Sequence, residues 1–437
     1  MSTILIRSAR VIDPASHFDA VADIAIGEGR IIAIGPDLPT GPAERVIDAA
    51  GLIASPGLID PHVHLREPGQ TGKEDIASGA RAAVSGGFTT VCCMPNTSPA
   101  LDTPEMIEYI VLKAAGAACR VFPVAAATKG RKGEALAEIG LCAQAGAVGV
   151  SDDGDVIASA AMMRSVLLAA REAGLAVMQH CQDPTLTVGA AMHDGYVAAR
   201  LGLIGWPREA EEIIIERDVR LAASAGARYH VQHLSSGGSV EIIRRARAAH
   251  GALISAEASP HHLLLTHEAC AGGGSPDGEA YDTNAKMNPP LREQADIDAI
   301  IAGLIDGTIT VLATDHAPHT AEEKARPFED APFGIIGLES SLGLYARALI
   351  EPGHLDWPRM LALMTIEPAR LCNLDRLGLG MLAVDGPADI TLIDPAARWV
   401  FGPEHCSGKS RNSPFFGATL HGRAVMTIVE GVVRFEV

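Results

Sequence analysis

Two histidines, His62 and His64, are separated by a single residue within the apolar run Leu58 to Leu65. Residues i and i+2 of a β-strand project from the same face, so the two imidazoles point the same way. Such a pair is suited to binding a transition metal of the zinc type. Arg66 continues this face and adds a cation beside the pair. Taken alone, the motif fits two unrelated surface histidines equally well.

Other predicted strands also end in groups that can bind a metal. They are His180, His233, Asp315 and the neighbouring pair Asp152 and Asp153. Four histidines and two carboxylates exceed the three protein ligands of one catalytic zinc, so two metal ions are indicated. A carboxylate can bridge two ions about 3.5 to 4 Å apart, with a hydroxide between them. Asp152 and Asp153 face opposite sides of a strand, and periodicity does not select which one bridges.

These polar groups must be brought together by the elements that carry them. Eight apolar, strand-like runs each precede an Ala-rich stretch whose apolar residues have helical spacing. The predicted strands are Leu58 to Leu65, Thr89 to Met94, Arg120 to Ala126, Ala147 to Ser151, Ala176 to His180, Arg228 to His233, Leu253 to Ala258 and Ile309 to Thr314. The predicted helices are Glu74 to Ser85, Pro104 to Ala117, Lys132 to Ala145, Ala158 to Ala173, Pro207 to Ser224, Ser239 to His250 and Gln294 to Asp306. The pattern predicts an α/β protein with a (β/α)8 TIM barrel, whose functional residues lie at the carboxyl ends of the strands.

Both chain ends differ from this pattern and are rich in short β-strands. The predicted terminal strands are Thr3 to Ile6, Val21 to Ile26, Arg30 to Ile34, Asp389 to Ile393, Ala418 to Leu420 and Val425 to Phe435. Neither end has enough strands to bury a face alone. We therefore expect residues 1–55 and 384–437 to form one composite β-sandwich domain, with the barrel over residues 56–383.

Composition and charge exclude several classes of function. The 437 residues carry a formal net charge of −18, which disfavours binding to nucleic acid or to anionic lipid. No apolar run reaches the roughly 18 residues of a membrane span, and the first residues lack the pattern of a signal peptide. The eight cysteines form no CxxC pair and lie mostly in apolar surroundings, as buried free thiols do. We expect a cytoplasmic protein.

Several blocks of sequence resemble a known family. The blocks are Asp60 to Gly69, Cys93 to Thr97, Asn288 to Arg292, Ala313 to His319, Pro332 to Gly334 and Gly337 to Glu339. They are similar to the motifs of dihydroorotases in the amidohydrolase superfamily, and they extend along essentially the whole chain. The resemblance points to the class I branch.

The resemblance implies a binuclear zinc centre. It assigns His62, His64 and Asp315 to one zinc, His180 and His233 to the other, and Asp153 and a hydroxide to the bridge. Many amidohydrolases bridge their metals with a carbamylated lysine, whereas this chain has Val150-Ser151-Asp152-Asp153-Gly154 at that place and no lysine. This matches the aspartate-bridged bacterial enzymes. Lys129, the nearby lysine, is expected at the surface or outside the metal ligands.

The resemblance also implies a substrate and a reaction. It assigns Arg66, Asn96 and His319 to a substrate carboxylate, and Asn288 with the backbone of Phe333 and Gly334 to the substrate ring. The implied reaction is the reversible hydrolysis of (S)-dihydroorotate to N-carbamoyl-L-aspartate in pyrimidine biosynthesis, with Asp315 as the proton carrier. The segment Thr320 to Ile336 is too long for a plain βα turn and is expected to form a lid.

Two alternatives compete with this interpretation. A hydantoinase or allantoinase would share the barrel and metals, but its substrate would not require the cation of Arg66. A non-catalytic scaffold for aspartate transcarbamoylase would not need the metal ligands. Association with that enzyme in addition to catalysis, or a homo-oligomer, stays open. His261 and His262, which follow the seventh predicted strand, are expected to pack rather than to bind metal, and the glycine-rich segment 271–278 is expected to be a flexible excursion.

Overall fold

The barrel is formed by eight short parallel strands in the computed structural model, which describes residues 3–41, 43–272 and 280–437. The strands are Leu58–Val63, Phe88–Cys93, Arg120–Pro123 continued by Ala125–Ala126, Val150–Ser151, Val177–Gln179, Tyr229–Val231, Ile254–Ala258 and Val311–Leu312. A parallel bridge between Val63 and His316 joins the first strand to the eighth and closes the ring. All eight predicted strands are therefore present, and the predicted fold class is confirmed.

Helices follow the strands and cover the outside of the barrel. They are Ile76–Ser85, Pro104–Ala114, Ile139–Gln144, Ala160–Glu172, Glu209–Ala225, Gly237–His250 and Gln294–Ile305, with Ser341–Tyr345, Ala346–Ile350, Trp357–Met364 and Ile366–Leu371 after the eighth strand. Several start at a residue that caps the helix: the Asp75 side chain accepts from Ser78 N, and Thr103 precedes a proline at the first helical position. Apolar side chains from strands and helices form one large core between the two layers.

The predicted helix Lys132 to Ala145 is wrong in its first half, because the helix begins at Ile139. The chain before it makes a 3₁₀ turn at Lys129–Arg131 and passes through Gly133 with φ +69. It then folds back so that Ala137 N donates to Ala127 O. This pairing with the residues that follow the third strand takes the place of a helix there.

Both chain ends contribute to a single eight-stranded sheet beside the barrel. Its strands are Ile4–Asp13, Phe18–Gly27, Arg30–Gly35, Arg45–Asp48, Ile53–Pro56, Ile390–Val400, Thr419–Val429 and Val432–Glu436. The two ends are joined where Ile53–Pro56 pairs antiparallel with Ile390–Val400. Isoleucines of both ends, such as Ile6 and Ile428, share one apolar core. The domain boundaries at 55/56 and 383/384 stay a prediction.

The last strands differ from their predicted bounds. The turn predicted at His421-Gly422-Arg423 lies inside the strand Thr419–Val429, since Gly422 adopts φ +76 without ending the pairing. The turn instead falls at Glu430 and Gly431, both at positive φ, and splits the predicted strand Val425 to Phe435. A glycine inside a strand and a glycine at a turn look alike in sequence.

Smaller elements complete the chain. A strand pair, Met192–His193 with Gly205–Trp206, flanks the helix Tyr196–Leu201 and was not predicted. The remaining short helices are Lys129–Arg131, Gly251–Leu253, His261–Leu264, His267–Ala271, Thr283–Ala285, Ala321–Lys324, Leu374–Leu377 and Pro403–His405. Most of the glycine-rich segment predicted as an excursion falls on 273–279, outside the described residues. Among the residues that are described, no helix is both long and apolar enough to cross a membrane.

Candidate active site and metal centre

The six predicted metal ligands lie together at the carboxyl end of the barrel strands. Groups of three among them have their ligand atoms within 4.8 Å of one another. They are His62, His64, Asp153, His180, His233 and Asp315, and each is buried. The groups overlap through shared members, as a pair of neighbouring metal ions requires.

Asp153 occupies the centre of this cluster. Its Oδ1 lies 3.4 Å from His62 Nε2, 3.7 Å from His180 Nδ1 and 3.6 Å from His233 Nε2. Its Oδ2 lies 3.4 Å from His64 Nε2. The carboxylate therefore faces histidines of both predicted metal sites, which is the position of a bridging ligand.

Asp152 points away from the cluster. Its Oδ1 accepts hydrogen bonds from the backbone of Ala127 at 2.9 Å and of Thr128 at 3.0 Å, and its Oδ2 accepts from Thr128 Oγ1 at 2.5 Å. Asp152 thus binds the end of the preceding strand. Of the two neighbouring aspartates, which periodicity left open, only Asp153 faces the cluster, and its role as the bridging ligand stays a prediction.

The histidine nitrogens and carboxylate oxygens of the cluster are better arranged to bind a metal ion than to form hydrogen bonds with one another. His62 Nε2 is buried and has no hydrogen-bond partner among the described residues. His180 Nδ1 and His233 Nε2 face each other at 2.9 Å. Within the described residues, Asp153 and Asp315 form close charge contacts only with histidines of the cluster. Imidazole nitrogens and carboxylate oxygens converging in this way are a suitable ligand set for a divalent ion.

Hydrogen bonds behind the histidines fix which nitrogen faces the cluster. Glu257 Oε1 lies 2.6 Å from His62 Nδ1, and Gln182 Oε1 lies 2.9 Å from His180 Nε2. Each oxygen accepts from the ring nitrogen that it faces and leaves the other nitrogen as a lone pair towards the site. Asn96 Oδ1 does the same for His64 Nδ1 at 2.9 Å.

Sequence reasoning missed Glu257 and Gln182. Glu257 is completely buried in the seventh barrel strand and also lies 2.9 Å from His230 Nε2. A lone carboxylate within an otherwise apolar strand was a signal that could have identified it. Gln182 carried no such signal, because its contacts depend on how the loop after the fifth strand is folded.

The charges of the cluster shift its pKa values. Burial would raise the pKa of Asp153, but the neighbouring histidines, His62 first, hold it well below the usual range. The pKa of Asp315 is lowered in the same way, against burial, by His62 and His64. Burial and the nearby His233 lower the pKa of His180 to about 4. The carboxylates are therefore ionised and His180 is neutral at pH 7, as metal ligands must be.

A cavity of about 270 Å³ opens directly above the cluster. Every predicted site residue except His62, which is fully buried beneath it, contributes to the wall. Arg66 is held by Nε donating to Pro318 O at 3.2 Å, and its guanidinium lies 3.3 Å from His319 Nε2. Asn288 Nδ2 donates to Gln182 Oε1 at 3.3 Å, whereas its buried Oδ1 has no partner among the described residues.

Asn96 lines the cavity and also forms hydrogen bonds with two of the predicted metal ligands. Besides accepting from His64, it donates from Nδ2 to Asp153 Oδ2 at 3.3 Å. An amide nitrogen carries two N–H groups, so one remains for a ligand in the cavity.

Phe333 and Gly334 form part of the cavity wall. The Phe333 ring stands edge-on to Trp206, with 5.9 Å between ring centroids. A Cβ at Gly334 would lie 2.7 Å from Ala317 O, so only glycine fits there. Asn412, which sequence reasoning missed, donates from Nδ2 to Gly334 O at 3.0 Å and accepts from His319 N at 3.0 Å.

Other candidates lie outside the ligand cluster. His261 and His262 are buried against each other, and His262 Nε2 donates to Pro289 O at 3.0 Å. Lys129 is exposed. The eight cysteines are unpaired and buried.

Comparison with solved structures agrees with the architecture. An L-hydantoinase from Arthrobacter aurescens superposes with a TM-score of 0.87 at 25% identity, over 100% of this chain and 96% of that chain. This chain combines a barrel and a small β-domain with a histidine–aspartate cluster under a polar cavity. These features define it as a metal-dependent cyclic amidohydrolase.

Sequence comparisons identify the family of this chain within the amidohydrolases. A family model described as Dihydro-orotase-like matches residues 51–239. A dihydroorotase of Geobacter sp. (strain M21) is 47% identical over 434 residues, which cover 99% of each chain. A dihydroorotase of Syntrophotalea carbinolica is 48% identical over the same length and coverage. The chain belongs to the dihydroorotase family.

Proposed function

We propose that this chain catalyses the reversible hydrolysis of the cyclic amide of (S)-dihydroorotate to N-carbamoyl-L-aspartate, in the de novo synthesis of UMP. One observation carries the choice of substrate: the buried Arg66 guanidinium lines the cavity that lies over the metal cluster. Dihydroorotate has both a cyclic amide for the metal centre and a carboxylate for this cation. Relatives at 47% and 48% identity support the same choice.

The proposed cofactor is a pair of Zn²⁺ ions. His62, His64 and Asp315 would hold one ion, His180 and His233 the other, and Asp153 would bridge them. When bound, the ions would supply a water nucleophile that is deprotonated near neutral pH and a Lewis acid for the ring carbonyl. The overlapping ligand groups around Asp153 support two ions rather than one.

Asp315 is the proposed proton carrier. Its Oδ1 makes the contacts with His62 and His64, at 3.5 and 3.0 Å, and the residue also lines the cavity. Its lowered pKa keeps it a carboxylate, so it can accept the proton that remains on the attacking hydroxide. It would then deliver this proton to the ring nitrogen as the amide bond breaks. In the direction of synthesis it would take the proton back.

The remaining residues would hold the substrate. Arg66 and the free N–H of Asn96 would donate to the carboxylate, with His319 beside them in the cavity wall. The unpartnered Oδ1 of Asn288 can accept from a ring N–H, and Phe333 and Gly334 also line the cavity. The segment Thr320 to Ile336 leads into this wall, and its closure over bound substrate stays a proposal.

Location and assembly are part of the proposal. Eight unpaired, buried cysteines support an enzyme of the reducing cytoplasm. A homo-oligomer and an association with aspartate transcarbamoylase are both compatible with the proposed reaction. Co-purification of the two enzymes, compared with the mass of the isolated chain in solution, tests these assemblies.

The test of function is ring opening of dihydroorotate by zinc-replete protein, followed by ultraviolet absorbance. We expect turnover that is abolished by a chelator and restored by zinc, and Arg66→Met should raise KM strongly for dihydroorotate. Hydantoin serves as the matched substrate without a carboxylate. Turnover of hydantoin alone would favour the hydantoinase alternative, and folded protein that binds no metal would favour the scaffold.

A further inference from the structure

Two buried lysines lie behind the wall that Phe333 and Gly334 form. Lys286 is 2% exposed and Lys324 is 6% exposed, although lysine is rarely buried. Within the described residues, neither ammonium forms an ion pair with a carboxylate. Their partners are backbone carbonyl groups instead, and these carbonyls belong mainly to one loop, the segment Phe328 to Gly334, which we call the wall loop.

Lys286 makes a complete set of hydrogen bonds to the wall loop. Its Nζ donates to Phe328 O at 2.5 Å, to Glu329 O at 3.0 Å and to Ala331 O at 2.7 Å. An ammonium group has three N–H donors, and all three are used. The same Nζ lies 4.4 Å from the centroid of the Phe333 ring, within the range of a cation–π contact.

Further bonds hold the end of the wall loop. Lys324 Nζ donates to Pro332 O at 2.9 Å and to Thr283 O at 2.9 Å. Gly334 N donates to the carbonyl oxygen of Lys286 at 2.9 Å. The loop is therefore tied to Lys286, just before Asn288, through three of its backbone carbonyls and Gly334 N, and to Lys324 through the Pro332 carbonyl.

We propose that Lys286 is a positioning residue for substrate binding, which fixes the wall loop so that Phe333 and Gly334 meet the substrate ring, with Lys324 as a second anchor. This rests on the proposed function, because the two wall residues act on substrate only there. Loops with this many bonded carbonyls and a buried cation at the centre have few alternative conformations. The ring-binding wall is then ready before substrate arrives, so any closure of the segment Thr320 to Ile336 would involve the residues before Phe328.

The protonation of the two lysines agrees with the number of carbonyls that each one faces. Burial lowers the pKa of Lys286 to about 8, so at pH 7 it keeps the three N–H groups that its three carbonyls need. Burial, aided by the charge of Lys286, lowers the pKa of Lys324 to about 7. A neutral amine still has two N–H groups, which match its two carbonyls.

The test compares Lys286→Met and Lys324→Met with Lys132→Met, a change at an exposed lysine. Methionine keeps the length of the side chain and removes the donors. For Lys286→Met we expect KM for dihydroorotate to rise about tenfold while kcat changes less than about threefold, with zinc content unchanged. Amide hydrogen exchange without substrate should increase in peptides that cover the wall loop and not elsewhere. Lys324→Met should shift both quantities in the same direction by less.

An unchanged KM together with unchanged exchange in the wall loop would overturn the proposal. So would exchange that increases throughout the barrel, because this would mean a general structural role. If Lys286→Met does not fold, Lys324→Met decides by the same two measurements. Failure of the proposed function is a separate result: the unaltered chain would not turn over dihydroorotate, whereas exchange in the wall loop would still report whether the lysines fix it.

Discussion

In the proposed mechanism, Asp315 combines two duties, metal binding and proton transfer, that would usually fall to different residues. Its Oδ1 stands 3.0 Å from His64 Nε2 and 3.5 Å from His62 Nε2, which is the position of a metal ligand. Both contacts use the same oxygen, so Oδ2 would be the atom available to carry a proton. Because histidines lower its pKa against the effect of burial, the carboxylate gains a proton only when the reaction supplies one.

Asp315→Asn separates these duties. The amide keeps an oxygen for the metal but cannot accept a proton, so we expect zinc content near that of the unaltered protein. We expect kcat to fall by roughly 10² to 10⁴, the usual size of general acid–base catalysis. Metal analysis and saturating kinetics on the same preparation provide the measurement. Near-normal turnover would contradict the assigned role.

Asp152 and Asp153 form a natural matched pair, since they are neighbours with opposite orientations. Asp153→Asn removes the charge that faces four histidines, so the zinc content should fall and activity should fall with it. Asp152→Asn should retain zinc, but it weakens the acceptor for Thr128 and should lower the free energy of unfolding by about 1–3 kcal/mol. Zinc analysis and thermal unfolding of both variants distinguish the two roles. Equal zinc loss in both would refute the assignment of Asp153 as the bridge.

At the scale of elements, sequence periodicity predicts the strands well because most of them are buried, largely apolar runs. Polar residues at the ends of such runs are then conspicuous, which is why the four histidines, Asp315 and the pair Asp152 and Asp153 could be singled out from the sequence, whereas only the family resemblance selected Asp153. Positions set by tertiary pairing could not be predicted: residues 135–137 pair with residues 127–129, just after the third strand, instead of continuing a helix. Gln182 likewise acquires its role only through loop geometry.

The wall loop gives a prediction about pH and stability. Burial lowers the pKa of Lys286 from 10.5 to about 8, although Asp330, Glu329 and Cys270 oppose this shift, and it lowers the pKa of Lys324 from 10.5 to about 7. Above about pH 8 the unfolded chain therefore binds more protons than the folded chain, up to the usual lysine pKa of about 10.4. The two lysines should therefore make the free energy of unfolding increase with pH between about pH 8 and about pH 10.4.

Calorimetry can isolate that contribution. The Tm of the unaltered protein minus that of Lys286→Met should increase between about pH 8 and pH 10, because methionine has no proton to lose. Lys132→Met, at the exposed control position, should show no such trend. A difference that decreases with pH would mean that the carbonyl groups stabilise the ammonium more than burial opposes it.

At the scale of the whole molecule, the chain completes its site with a segment far from the barrel strands. After the strand Ile390–Val400 the chain leaves the terminal sheet, crosses the mouth of the barrel and returns as Thr419–Val429. On the way it places Asn412 against His319 and Gly334. Asn412 lies 93 residues after His319 in the sequence, and only the tertiary fold brings the two together. No local sequence pattern therefore identifies Asn412. Sequence reasoning could therefore find the residues on strand ends but not this one.

Asn412→Ala tests whether the returning segment contributes to substrate binding. The side chain accepts from His319 N and donates to Ala317 O and Gly334 O, so its loss leaves three buried backbone groups without a partner. Such groups cost about 1–3 kcal/mol each, so the local structure should relax. We expect KM for dihydroorotate to rise about tenfold with zinc content unchanged, since none of the metal ligands touches this amide.

Glu404→Ala, an exposed change in the same segment, is the control and should leave KM unaltered. If Asn412→Ala lowers Tm without a change in KM, the returning segment only stabilises the barrel mouth. If KM rises while zinc is retained, the cavity depends on the C-terminal segment for its shape. The composite arrangement of the two chain ends would then serve binding as well as folding, because the strands on either side of the segment hold it over the barrel.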